Sequence, residues 1–225
     1  MKLLLPALIA LAAALPVASW ADVLVTETLL TTNAADDFDA AISGTSVVFT
    51  TTRAGNDDVY GVVPGGAGPT GIAVGASTQN QPDISGTSVV FVDDAFGNDN
   101  IYTVPFTSGT PQIRTTNAAQ DDRPAISGDD VVFITRRGGN DDVYHVDLVL
   151  DLVSALTNTP LGESFAVIDQ GTAIFHRFEF PVINLYGIPI GGTEFPVSTS
   201  SSSDFSPSIS GDRVAFIRAD AASRT

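Results

Sequence analysis

The sequence predicts an all-β chain built from repeated four-stranded sheets, and three observations carry that expectation. The anchors Ile42, Ile84, Ile126, Ile168 and Ile209 follow one another at spacings of 42, 42, 42 and 41. Four of them open versions of one phrase, "ISGTSVVF" twice, then "ISGDDVVF" and "ISGDRVAF"; "IDQGTAIF" keeps the spacing in a worn form. An acidic turn, "GNDDVY", "GNDNIY" and again "GNDDVY", begins at residues 55, 97 and 139, and helix periodicity is absent after residue 22. A repeat of this period decides the fold ahead of any local propensity.

The chain opens "MKLLLPALIALAAALPVASWAD". Lys2 supplies a positive start, residues 3–17 an apolar core, and Ser19 and Ala21 the small residues of a cleavage site before Asp22. The apolar run is short for a membrane span of ~20 residues. The expectation is a signal peptide over 1–21 and a repeat domain over 22–225, soluble and exported to a periplasmic or extracellular space. The absence of cysteine rules out disulfides and thiolate metal sites.

Each unit reads as four short strands. The first is "PDI", "PAI" or "PSI", where proline suits a strand start. Ser-Gly follows as a tight hairpin turn, its glycine free to take a positive φ. The second strand, "SVVF" or "DVVF", is apolar on consecutive positions, so both of its faces are buried. The "GNDD" turn leads to the third strand, "DVYGV", "NIYTV" or "DVYHV", and Phe49–Tyr60, Phe91–Tyr102, Phe133–Tyr144 and Phe175–Tyr186 are each eleven apart. Linkers such as "PGGAG" then reach an outer strand such as "PQIRTT".

Four-stranded units of about 42 residues, buried on both sheet faces, fit a β-propeller, in which blades stack sheet on sheet around an axis. A parallel β-helix is the other architecture considered, and its coils are much shorter. Five copies are visible and the last is incomplete: the eleven-residue rule places the Tyr partner of Phe216 two residues past Thr225. Residues 23–32, "VLVTETLLTT", match an outer strand that would help close the ring. The expectation is either a five-bladed ring with a three-stranded last blade or a portion of a longer propeller, which would be prone to oligomerise through open edges.

The phrases P-x-I-S-G, V-V-F, R-x-G-N-D-D-V-Y and a trailing Thr-Thr resemble the TolB-type β-propeller repeat, and the resemblance covers essentially all of residues 23–225. That repeat usually has Ser-Pro-Asp-Gly at the first turn; here Ser-Gly-Thr or Ser-Gly-Asp stands there, with Ile before the Ser. TolB itself also carries an amino-terminal α/β domain, whereas here the repeats are expected directly after the signal peptide. The resemblance implies a periplasmic docking surface.

Net charge is −16, and becomes −17 once Lys2 is removed, since residues 1–21 hold no acid. Such a chain is repelled by nucleic acid and by anionic lipid. In a four-stranded blade the second-to-third-strand loop and the connection to the next blade share one face, so the "GNDD" loops should pave a charged surface, and the Ser-Gly face should be largely neutral. The candidate partner-binding residues on the charged face are Asp37, Arg53, Asp58, Asp122, Arg123, Arg137, Asp142 and Arg177. Asn and Asp satisfy tight-turn backbone, which accounts for "GNDD" as scaffold. The alternative is Ca²⁺, a hard cation taking six to eight oxygens, for which Asp57, Asp58, Asp99, Asp141 and Asp142 are candidates; EF-hand spacing is absent.

No nucleophile elbow, zinc-protease motif, P-loop or dinucleotide fingerprint occurs. His145 and His176 fall at non-equivalent repeat positions and read as packed or edge histidines. The leading functional expectation is a non-catalytic interaction module without cofactor, presenting its charged loops to a protein or other envelope component. The alternatives are a glycan lyase or hydrolase with an axial site, for which His176, Arg177 and Glu179 are the candidates, and a calcium-stabilised structural propeller.

Overall fold

The computed structural model describes residues 27–107 and 109–219. The signal peptide expected over 1–21 lies outside the described residues. Eighteen strands form five antiparallel sheets. The first blade is β1 (Asp37–Ser43), β2 (Ser46–Thr51), β3 (Asp58–Val62) and β4 (Thr70–Ala73). The second is β5 (Gln79–Ser85), β6 (Ser88–Asp93), β7 (Asn100–Pro105) and β8 (Gln112–Ile113). The third is β9 (Asp121–Ser127), β10 (Asp130–Thr135), β11 (Asp142–Asp147) and β12 (Leu152–Ala155). The fourth is β13 (Glu163–Asp169), β14 (Thr172–Glu179), β15 (Val182–Pro189) and β16 (Phe195–Pro196). The fifth holds β17 (Asp204–Ser210) and β18 (Arg213–Arg218). Strand order in every four-stranded sheet is sequential, with the first strand innermost. This is the β-propeller arrangement the repeat predicts.

The consecutive apolar residues of each second strand divide between two inter-blade interfaces. Val89 and Phe91 meet Val48 and Val59 of the blade before, whereas Val90 and Val92 meet Ile126, Val131 and Phe133 of the blade after. Val132 and Ile134 then meet Ile168, Ala173 and Phe175. Phe91, Phe133 and Phe175 are fully buried, and each such side chain contributes about 1.5–3 kcal/mol on burial. Ile84, Ile126 and Ile168 are 5–8% exposed, but Ile42, facing away from the second blade, is 68% exposed.

The Ser-Gly turn is also an inter-blade hydrogen bond. Ser43 Oγ accepts from Gly86 N at 2.9 Å, and Ser85 Oγ from Gly128 N at 2.9 Å. Ser127 Oγ accepts from Gln170 N at 3.2 Å, and in the worn copy the Asp169 carboxylate takes over, accepting from Gly211 N at 2.7 Å. The turn glycines Gly44, Gly86, Gly128 and Gly211 have φ of 58–62°, a conformation other residues enter at a cost.

On the other rim the asparagine of "GNDD" ties its loop to the blade-to-blade connection. Asn56 Nδ2 donates to the carbonyls of Gly75 and Ser77, Asn98 Nδ2 to those of Asn117 and Ala119, and Asn140 Nδ2 to those of Thr159 and Leu161. The trailing threonine has a bond of its own: Thr115 Oγ1 accepts from Ile101 N and Thr157 Oγ1 from Val143 N, each at 2.9 Å.

Three expectations change. The first strand begins three residues before the proline, so Pro82, Pro124 and Pro207 sit mid-strand. They are tolerated because the innermost strand has no sheet neighbour on its axial side. Residues 27–32 form no strand, so the described part of the expected outer strand pairs with nothing. The Ser-Gly rim is not neutral either, since Asp129, Asp147, Asp151 and Asp169 stand there.

The "GNDD" asparagine should therefore carry measurable stability. Asn140→Ala leaves the Thr159 and Leu161 carbonyls without their donor and should lower unfolding free energy by about 1–3 kcal/mol. Urea denaturation would measure it, with the far-UV spectrum of the folded protein unchanged.

Candidate functional site

The loop arginines are held inside their own blades. Arg53 donates to Asp37 at 3.2 Å, Arg137 to both oxygens of Asp121 at 3.0 Å, and Arg218 to Asp204 at 2.7 and 3.0 Å. Each of the first two guanidinium groups also lies over the repeat tyrosine, Arg53 at 4.4 Å from the Tyr60 centroid and Arg137 at 4.6 Å from Tyr144. The second blade puts an amide in the same place, Gln79 Nε2 donating to Asp93 at 3.2 Å. A polar pair between the start of the first strand and the end of the second thus recurs in every blade.

The fourth blade elaborates this pair into a network. Arg177 donates to Glu163 at 2.7 Å and, through both terminal nitrogens, to Glu194 at 2.6 Å. Its guanidinium lies 4.3 Å from the Tyr186 centroid. Glu163 also accepts from Thr157 and Thr159, at 3.0 and 2.7 Å. Asp142 is buried beside it; burial and the neighbouring Glu163 carboxylate push its pKa up to about 6. Hydrogen bonds to the two glutamates hold Arg177 protonated against its burial.

The remaining acids of the "GNDD" loops do not converge. Asp58 Oδ1 accepts from Gly75 N at 3.0 Å, Asp141 pairs with Arg136 at 2.5 Å, and the backbone carbonyls of Asp57 and Asp99 accept from Gln79 and Asp121. Among the described residues no three His, Asp or Glu side chains come together in a group that could hold a metal ion. Of the partner-face candidates, Asp37, Arg53, Asp58, Arg137, Asp142 and Arg177 are engaged within or beside their blades, and Asp122 stays on the rim. Burial raises the Asp122 pKa, as do the Asp141 and Asp99 carboxylates, while Arg123 and Arg136 oppose that rise. Burial and Asp94 raise that of Asp99.

Arg123 belongs elsewhere, in a cleft on the propeller axis. All five inner strands line a space of about 690 Å³. Each strand carries a β-bulge in its middle, and the bulge residue enters the left-handed region: Asp39, Gln81, Arg123, Phe165 and Ser206, with φ of 50–52°. The sequence reading missed this ring. Its signal was present as the residue three before each Ile anchor, which differs in all five copies and is always followed by Ala or Pro.

Behind the ring stands His176. Its Nε2 accepts from Ser206 N at 3.0 Å, and its ring packs 5.1 Å from Phe165 and 6.3 Å from Phe205. Burial and then the Arg123 charge lower its pKa to about 4, so the imidazole is neutral with its acceptor nitrogen occupied. Glu179 accepts from Asn184 and Tyr186 at 2.7 Å. His176, Arg177 and Glu179 therefore make three separate sets of contacts. His145 is buried against Asp130 at 2.7 Å.

No protein-family profile and no curated protein matches the chain. Solved structures do. A putative TolB from Agrobacterium tumefaciens superposes with a TM-score of 0.65 at 21% identity, covering 81% of this chain and 69% of that one. TolB from Acinetobacter baumannii gives 0.61 at 18%, covering 74% and 44%. An oligogalacturonate lyase from Vibrio parahaemolyticus gives 0.63 at 13%, covering 80% and 57%. At these identities the likeness is one of fold, and the chain has a TolB-like propeller fold. It spans less than half the length of the Acinetobacter protein.

Two buried groups should titrate with opposite effects on stability. His176 has a folded pKa near 4 against an ordinary value of 6.5, so its contribution is present above pH 6.5 and is lost as pH falls toward 4, by up to roughly 3 kcal/mol. A His176→Asn variant should lose that acid-side slope in urea melts taken across the range. Asp142 has a folded pKa near 6 against 3.8, so its contribution is present below pH 3.8 and lost as pH rises through 6. Asp142→Asn should accordingly stabilise the protein at pH 8, on the order of 2 kcal/mol, with the gain fading in acid.

Proposed function

We propose that the chain is an exported, non-catalytic interaction module that docks a protein partner, through a cationic patch, on its acidic loop rim. The observation that carries this reading is the rim itself. Asp94, Asp99, Asp122 and Asp141 are held near enough for the Asp94 charge to raise the Asp99 pKa, and for Asp99 and Asp141 to raise that of Asp122. Arg53, Arg137 and Arg177 point inward to Asp37, Asp121 and Glu163; among the described residues Arg136 pairs with the rim acid Asp141, and the Arg123 charge partly offsets the rim at Asp122. Like charges held together on a rigid surface favour association with the opposite charge and speed it.

The contacts of His176, Arg177 and Glu179 support a non-catalytic role, since each polar group is already engaged within the fold. The lyase named above is a likeness of fold, and its activity does not carry over on that ground. No helix among the described residues is long and apolar enough to cross a membrane. Export rests on the sequence of residues 1–21.

A photo-reactive residue placed at Asp57, Asp99 or Asp141 in the producing cell should trap one protein partner, in a yield that falls with added salt. The same residue at Thr45 or Thr87, in the opposite turns, should trap little. Equal yields from both rims, or no adduct from either, would sink the reading. Calcium plays no part in the proposal, so a chelator should leave the melting temperature where it was; a native-state ligand lost to chelation would lower it by mass action.

A further inference from the structure

The five bulge residues stand against the preference of their own backbone. A left-handed φ costs a residue with a Cβ on the order of 1–2 kcal/mol, and glycine or asparagine fills such positions most readily. None of the five is either: the chain places Asp39, Gln81, Arg123, Phe165 and Ser206 there. The flanking residues repeat. Four of the five blades keep a carboxylate two residues upstream, at Asp37, Asp121, Glu163 and Asp204, and every blade keeps Ile three residues downstream. The strand ladder skips all five bulge residues; Gln81 and Phe165 also tie into neighbouring strands, at Arg123 N and at His176, but Asp39 has no such contact among the described residues. A position that is costly in backbone and different in every blade is accounted for in part by what its side chains face. All five face the axial cleft.

The chemistry of that lining is specific. Among the described residues Arg123 has no carboxylate partner; its guanidinium rests 4.5 Å from the centroid of Phe165. Its backbone N–H donates to Gln81 Oε1 at 2.7 Å, which fixes the strand rather than the charge. Asp39, two blades away, is exposed and has no donor among the described residues. The other carboxylate of the lining, Asp83, is taken by the N–H groups of Ile84 and Ile126, both at 2.8 Å. Arg123 does act through its charge on the neighbouring Asp122 and on His176, but among the described residues neither Arg123 nor Asp39 has an ion-pair contact, and an aromatic ring, an amide and a hydroxyl share the lining with them.

We propose that the axial cleft binds a short peptide with both termini free. The peptide carboxylate pairs with Arg123 and its ammonium with Asp39, the intervening side chains lie along Phe165, and Gln81 and Ser206 take peptide groups. A peptide fits where other small molecules do not. A single amino acid carries both charges on one carbon, whereas a peptide sets them at opposite ends of its chain. Two to four extended residues span ~7–14 Å. A neutral sugar leaves both charges of the cleft unpaired, and a dianion sets a second negative charge against Asp39. The proposal is independent of the partner on the loop rim.

Calorimetric titration of the full chain with trialanine, N-acetyl-trialanine and trialanine amide tests it. Trialanine should bind, and either cap should weaken it about tenfold or more. Arg123→Gln should weaken trialanine to the level of the amide while leaving the amide's own affinity unchanged. Asp39→Asn should do the same with respect to the acetylated peptide. Both variants should keep the far-UV spectrum and a single cooperative urea transition, which shows that they fold. No heat with trialanine at about 10 mM, at the weak end of specific binding, would overturn the proposal. So would equal affinity for capped and uncapped peptides, or binding indifferent to Arg123→Gln in a protein that folds normally.

Discussion

Every blade of this chain has two apolar faces, and neither is covered within the blade. The requirement that neighbours cover both is the constraint from which the rest follows. It explains why Val89, Val90 and Phe91 are consecutive and all fully buried, a pattern that no half-exposed strand tolerates. It also explains why the second strand keeps its register within each blade, because a one-residue slip in the pairing would exchange the residues facing the two neighbours. The Ser-Gly hydrogen bond and the GNDD asparagine fix the same neighbours at opposite rims. The apolar faces supply the driving force, and these two polar ties supply the register.

Much of this was legible in the sequence, because a scaffold that repeats leaves the same residues in every copy. The repeat unit, its strand order and the rim shared by the acidic loops could all be read from the Ile anchors and the eleven-residue Phe–Tyr spacing. What each repeated residue does could not. Asn56, Asn98 and Asn140 read as ordinary turn residues, yet their bonds run to a connection 19 to 21 residues downstream. Likewise Arg53, Arg137 and Arg177 read as surface charges. Their partners Asp37, Asp121 and Glu163 lie 14 to 16 residues upstream on a neighbouring strand, a relation invisible to a local scan.

The axial ring was hidden for the opposite reason. Comparing repeats rewards identity, so a column reading Asp, Gln, Arg, Phe, Ser looks like decay. The same logic made the fourth blade attractive as an active site, since its loop had lost the acids and gained His176, Arg177 and Glu179. In the fold those changes close on themselves: Arg177 acquires a second glutamate, Glu194, and Glu179 acquires Asn184 and Tyr186. Variation accompanied by internal compensation is repair of a scaffold. The axial column is compensated only in part: Gln81, Arg123 and Phe165 touch one another or His176, and Asp39 has no such contact among the described residues.

That difference has a physical origin in the bulge. A residue within a paired strand contributes to two interfaces, so changing it disturbs a neighbour on either side. The bulge lifts one residue per blade out of the ladder and turns it to the axis, where it has no cross-strand partner. Its side chain can change from Asp to Arg to Phe with no ladder bond lost. The cost is a left-handed backbone, roughly the same for each non-glycine occupant. Five such positions converging on one cleft give a symmetric scaffold an asymmetric site, and here that site separates an unpaired cation from an unpaired anion.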